Sequence, residues 1–192
     1  MNETDYGDIA EAVRVLGRGG VILYPTDTVW GVGCDACDES AVAAVYRLKQ
    51  RADSKALIVL VADKEMLARH IGVTVPRSVS DFMEAHPGRP VTVVYPKGHS
   101  VAPNLLAEDG SVGIRLVSEG FAHELCSAFG RPIVSTSANI SGEPSARTFG
   151  EISSRVVNAA DYVCTTGRTQ APGRPSMEEK LGEDGTITIL RD

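Results

Sequence analysis

Little in this chain marks it as a membrane, secreted or nucleic-acid-coating protein. No apolar run approaches the ~20 residues that cross a bilayer, so a transmembrane helix is excluded from the reading. The N-terminus, Met1-Asn2-Glu3-Thr4-Asp5, is acidic and lacks the basic and then apolar order of a secretory signal, so a cytoplasmic protein is expected. Four cysteines in 192 residues are too few for a disulfide framework. Aromatic residues make up 5% and the formal net charge is −6, poor material for stacking bases or neutralising a phosphate backbone. The sequence also has no glycine-rich segment closing in Gly-Lys-Ser/Thr and no dinucleotide fingerprint. Its four histidines, His70, His86, His99 and His123, are scattered without a Ser or Cys nucleophile motif, which argues against a hydrolase triad.

What is present is an ordinary globular composition, 43% hydrophobic and 23% charged, sufficient for one core and a single domain over residues 1–192. Apolar spacing predicts helices over 9–17, 39–50, 63–71, 76–85 and 119–128, the second capped by Asp38. Runs rich in Val and Ile predict strands over 21–24, 57–61, 91–95, 112–116 and 132–135, with a last edge strand at 186–190. Strands interleaved with helices imply an α/β domain, a largely buried mixed sheet with helices packed on it. In such sheets ligands bind where loops leave strand ends.

Several stretches fall at those ends. Lys49-Gln50-Arg51-Ala52-Asp53-Ser54-Lys55 places three cations where a helix runs out, suited either to a polyphosphate or simply to the negative end of the helix dipole. Ser135-Thr136-Ser137-Ala138-Asn139 offers hydroxyls and an amide after an apolar strand, suited to phosphate or ribose oxygens or to a self-satisfied turn. Tyr24-Pro25-Thr26-Asp27-Thr28-Val29-Trp30-Gly31-Val32-Gly33 brings two glycines that let backbone approach a ligand. Arg115 sits on a strand. Cys34-Asp35-Ala36-Cys37 is half a zinc site at most, with Cys126 and Cys164 standing apart and no histidine at ligand spacing.

Taken in order, these stretches resemble the YrdC/TsaC family of threonylcarbamoyl-AMP synthases. The resemblance rests on Tyr24-Pro25-Thr26-Asp27-Thr28 with Gly31 and Gly33, Leu48-Lys49-Gln50-Arg51 with Lys55, Val112-Gly113-Ile114-Arg115, Ser135 to Asn139, and Ser141-Gly142. The Lys-x-Arg and Ser-x-Asn pairs are that family's signature. It implies a YrdC-like twisted sheet with a concave, positively charged cavity. It further implies that L-threonine, bicarbonate and ATP, with Mg²⁺, give threonylcarbamoyl-AMP and pyrophosphate for modification of the tRNA adenosine next to the anticodon. On that resemblance Lys49, Arg51, Lys55, Thr92, Ser137 and Asn139 are the expected ATP residues. Lys49, Arg51, Ser137 and Asn139 are also the expected catalytic set, and Thr26, Arg115 and Ser176 are the expected threonine residues. The metal takes no ligand from the protein, and tRNA or a transferase complex is the implied partner.

The chain departs from the family pattern in three places. Trp30 stands where a Tyr or Phe is common, and Ala52 and Ala56 stand where prolines follow the basic residues, changes that alter loop stiffness more than charge. The family's Pro-Ser-Thr followed by aliphatics is here Pro175-Ser176-Met177-Glu178-Glu179. A chain of this length is expected to close its pocket without the extra domain of longer relatives. Two other functions compete: a non-catalytic RNA-binding module using the same groove, and carbamoyl transfer to another acceptor.

Overall fold

A computed structural model describes residues 3–50, 57–171, 173–174 and 176–191. Its centre is a mixed sheet whose middle is the four strands β3 (Ile58–Val61), β4 (Val91–Tyr95), β5 (Val112–Leu116) and β6 (Ile133–Ser137). On one side it extends through β2 (Gly31–Gly33), β1 (Ile22–Tyr24) and β7 (Tyr162–Val163); on the other through β8 (Met177–Leu181) and β9 (Ile187–Arg191). Among the described residues the spatial order is β7-β1-β2-β6-β3-β5-β4-β8-β9. The helices are α1 (Glu3–Leu16), α2 (Glu39–Lys49), α3 (Lys64–Ile71), α4 (Arg77–Ala85), α5 (Gly120–Phe129) and α6 (Ser154–Ala159). Among the described residues no helix is long and apolar enough to cross a membrane.

The local chemistry accounts for most boundaries. Asp38 caps α2 as predicted, its carboxylate accepting from the N–H groups of Ser40 and Ala41, which have no partner inside the first turn. At the other end Gln50 takes the left-handed conformation, φ 51°, and its N–H returns to the carbonyl of Arg47. Val59 and Val61 of β3 and Ile114 of β5 are fully buried, and α3 and α5 cover this half of the sheet. The opposite face carries the cavity.

The sequence reading departs from the fold at several points, and α6 and β7 were not predicted at all. Helix α1 begins at Glu3, earlier than the apolar stripe that starts at Ile9, with Glu3 and Asp5 favoured in its first turn by the helix dipole. Residues Gly31–Gly33, read as a ligand loop, are a strand. A Cβ on Gly33 would lie 2.4 Å from the carbonyl oxygen of Val134 and 2.8 Å from the Tyr24 ring, so that glycine admits protein and not ligand. Strand β6 continues through Ser137, making the hydroxyl run a strand end rather than a following turn. Strand β8 was not predicted, because Glu179 occupies an inward position between Met177 and Leu181 and hides the alternation.

Candidate active site

A cavity of about 400 Å³ opens on the concave face, bounded by the Thr28–Gly31 segment, the ends of β3 and β6, Arg115, and the β8–β9 edge. Sheet register sets its floor. Ile58 faces Ser135, and Gly31 faces Ser137. Arg115, Thr92, Glu178 and Arg191 form one continuous row across β5, β4, β8 and β9, so their side chains share a face.

Lys49 and the Ser-x-Asn pair converge, as the sequence led one to expect, although the geometry of Lys49 is not that of a residue reaching for phosphate. Its ammonium is buried and donates to the carbonyl oxygens of Ser137 (2.5 Å) and Asn139 (2.8 Å) and to Asn139 Oδ1 (3.4 Å). Asn139 is equally committed: Oδ1 accepts from Ser137 Oγ, and Nδ2 donates to the carbonyls of Ile140 (3.1 Å) and Glu143 (2.6 Å). Ser137 alone of the three lines the cavity. A buried cation bonded to this many acceptors holds the backbone of 137–141 in one shape; Ser141 N–H also donates to the carbonyl of Lys49. Arg51 and Lys55 lie outside the described residues.

The residues expected on the threonine side, Thr26, Arg115 and Ser176, lie close to one another around the cavity. Thr26 Oγ1 is used within its own loop, donating to the carbonyl of Val29 (2.7 Å) and accepting from Thr28 N–H (3.1 Å). Its neighbour Thr28 is the one that lines the cavity. Arg115 lines it too, buried, its two terminal nitrogens donating to the two carboxylate oxygens of Asp27 at 3.0 and 3.3 Å. Thr92 is fully buried beneath the cavity and donates to Ser176 Oγ (3.0 Å), so Thr92 orients Ser176 and Ser176 faces the cavity.

The segment that carries Ser176 begins far away in sequence from the loop it covers. Gly173 N–H donates to the carbonyl of Thr28 (2.7 Å), and a Cβ on Gly173 would sit 2.0 Å from the carbonyl oxygen of Asp27. Only glycine allows this approach. The start of the segment is pinned by buried Asp8 on α1, which accepts from the N–H groups of Thr165 (2.8 Å) and Thr166 (2.6 Å) and from the Tyr162 hydroxyl. Burial pushes the Asp8 carboxyl upward, yet these donors outweigh it and hold its pKa below the usual carboxylate range. Trp30, nearly buried, packs on Phe149 at 4.9 Å, and the Arg168 guanidinium lies 4.4 Å over the Phe149 ring. The tryptophan therefore forms part of the cavity wall, and Phe149 braces it.

Ser145, Glu178 and Arg191 also line the cavity and were not singled out from sequence. Arg191 donates to the Ser176 carbonyl (3.0 Å) and pairs with Glu178 at 2.9 Å. Within the Cys-x-x-Cys stretch the central acid is structural: Asp35 pairs with Arg131 (2.9 Å) and accepts from Cys37 N–H (2.9 Å). Burial, reinforced by Asp35, pushes the Cys37 thiol up to about 11.

A sheet with a concave polar cavity, a buried Lys-Ser-Asn knot and a glycine-docked strap defines an α/β domain of the Sua5/YciO/YrdC type. The chain belongs to that family, described as "Telomere recombination", which matches over residues 14–192. It is 38% identical over 179 residues to a threonylcarbamoyl-AMP synthase of Shigella flexneri, covering 92% of this chain and 93% of the relative. The fold superimposes on the H234A/Y235A variant of P. abyssi Sua5 with a TM-score of 0.85 and 27% identity, covering 97% of this chain. It likewise matches P. abyssi Sua5 complexed with L-threonine, TM-score 0.78 and 24% identity, again over 97% of this chain. This chain spans about half of the length of P. abyssi Sua5, 56% and 54% in the two structures.

Proposed function

We propose that this chain makes threonylcarbamoyl-AMP and pyrophosphate from L-threonine, bicarbonate and ATP, supplying a separate transferase that modifies the adenosine next to the anticodon of tRNA. The observation that carries the reading is the cavity itself: the end of β6, with Ser135 and Ser137 on its cavity face, and two arginines, Arg115 and Arg191, line one cavity, in a chain covering nearly the full length of a relative that bears this activity's name.

The chemistry asks for little covalent participation by the protein. Threonine's amine attacks carbon dioxide derived from bicarbonate and loses a proton, giving a carbamate. A carbamate oxygen then attacks the α-phosphorus as the bond to the pyrophosphate oxygen breaks. Negative charge grows on phosphoryl and leaving oxygens, so fixed donors and cations are the main source of acceleration. Arg115 offers the planar fork that suits an amino-acid carboxylate, provided that carboxylate displaces Asp27. Ser176, oriented by Thr92, stands ready for the rest of the amino acid. Ser137 and its strand-end neighbours face the phosphates, while Lys49 and Asn139 serve by holding them in place.

Among the described residues no three His, Cys, Asp or Glu side chains cluster as a metal cage. A Mg²⁺ carried mainly by nucleotide phosphates would neutralise developing charge there. The test is incubation with ATP, Mg²⁺ and bicarbonate, with and without L-threonine, followed by mass spectrometry for the adenylate and an assay of pyrophosphate. Threonine-dependent formation of both is expected; pyrophosphate release indifferent to threonine would refute the reading.

A further inference from the structure

The two arginines of the cavity are each held by a carboxylate of the chain, but in different surroundings. The Arg115 side chain is 4% exposed, while Arg191 and Glu178 are 50% and 31% exposed. An ion pair half in water contributes little and exchanges partners readily. Glu178 is also the one carboxylate among the described residues lining the cavity. Such a group opposes a polyphosphate by like charge, and what offsets its presence there is Arg191, its neighbour across β8 and β9.

We propose that Glu178 is an internal counter-ion: in the empty cavity it occupies the anion site of Arg191, and phosphate oxygens of the incoming nucleotide displace it. This rests on reading the cavity as a nucleotide site. Glu178 then acts as a specificity residue. A singly charged anion gains too little from Arg191 to replace a tethered carboxylate, whereas a polyphosphate, held elsewhere in the cavity as well, replaces it through combined contacts. Arg191 also donates from the same Nη2 to the Ser176 carbonyl, so the exchange takes place on the group that supports the strap.

The experiment is calorimetric titration of ATP and of inorganic pyrophosphate into wild type, Glu178→Gln, Arg191→Gln and the double variant. Thermal melts establish that each is folded, and threonine-dependent pyrophosphate release is measured on the same wild-type preparation. Glu178→Gln is expected to bind ATP roughly two- to fivefold more tightly, the scale of a half-exposed ion pair. Arg191→Gln should bind more weakly, and adding Glu178→Gln to it should bring no tightening, as a double-mutant cycle requires of a direct competition. Unchanged or weaker binding by Glu178→Gln overturns the proposal, as does equal tightening without Arg191, which would mean simple removal of charge. A wild type that binds ATP and turns over while Glu178→Gln fails to tighten defeats the counter-ion role alone; a wild type that does neither defeats the nucleotide reading with it.

Discussion

Lys49, Ser137 and Asn139 on one side of the cavity, and Ser176, Glu178 and Arg191 on the other, are both polar clusters, yet only the first is closed on itself. In the first, the buried ammonium, amide and hydroxyl satisfy one another and the backbone around them. In the second, Arg191 and Glu178 meet at a half-exposed sheet edge and a single hydroxyl, Ser176, rests on Thr92. The contrast separates a part of the site whose groups satisfy one another from a part held by a half-exposed edge pair. A buried satisfied network has one arrangement, whereas an edge pair has several of similar energy. The strap repeats the difference along its length: Asp8 at its start receives several donors, while Glu179 just past its end is fully buried and, among the described residues, neither of its oxygens has a hydrogen-bond partner.

The strongest way to break this comparison is Lys49→Met, which removes a charged donor from buried acceptors while keeping the chain's length. A loss of about 3 kcal/mol or more in unfolding free energy is expected by urea denaturation, together with loss of turnover. A stable, active variant would remove the claim that Lys49 is the rivet of the prebuilt wall.

Next in size is Asp8→Ala, which strands two backbone N–H groups and the Tyr162 hydroxyl and should cost about 2 to 3 kcal/mol. Its pH dependence has a defined sign. Because the native carboxyl titrates below its unfolded value, the contribution is present above the ordinary carboxylate range and lost as pH falls through the native pKa. Wild type should therefore lose this advantage over Asp8→Ala in acid, measured as converging melting temperatures.

Much of the prebuilt side was legible in the sequence, and most of the closing side was not. Val91–Tyr95 and Val112–Leu116 alternate or run apolar without interruption, so β4 and β5 were read with their boundaries intact. The convergence of Lys49 with Ser137 and Asn139 followed from family likeness, but the target of the ammonium did not, because backbone carbonyls have no signature in sequence. Thr26 and Thr28 are chemically equivalent in a sequence; only the turn, which uses the first hydroxyl, decides that the second meets the cavity. Glu178 and Arg191 were hidden because a strand reading Met-Glu-Glu-Lys-Leu carries no apolar alternation, and their pairing depends on a register shifted by the irregularity between Glu178 and Glu179.

A smaller effect sharpens the picture of the strap. Gly173→Ala places a methyl against the Asp27 carbonyl, so the strap must lift, and kcat/KM for threonine should fall at least ~tenfold, equivalent to ~1.4 kcal/mol, with little change in melting temperature. The smallest change runs in the opposite direction. Burial holds the Glu179 carboxyl above its ordinary range, so its native form is favoured at low pH, and stability declines as pH rises through the native value. Glu179→Leu, which removes a buried unsatisfied acid, should raise unfolding free energy by about 1 kcal/mol at neutral pH and flatten that decline. Destabilisation at neutral pH would indicate a partner for Glu179.

The difference between the two walls is tested most directly by amide hydrogen exchange, with and without ATP and L-threonine together. The account predicts that protection rises in peptides spanning residues 176–191, while residues 133–143 exchange slowly in both states and do not change. Protection gained in 133–143 with none in 176–191 would contradict it.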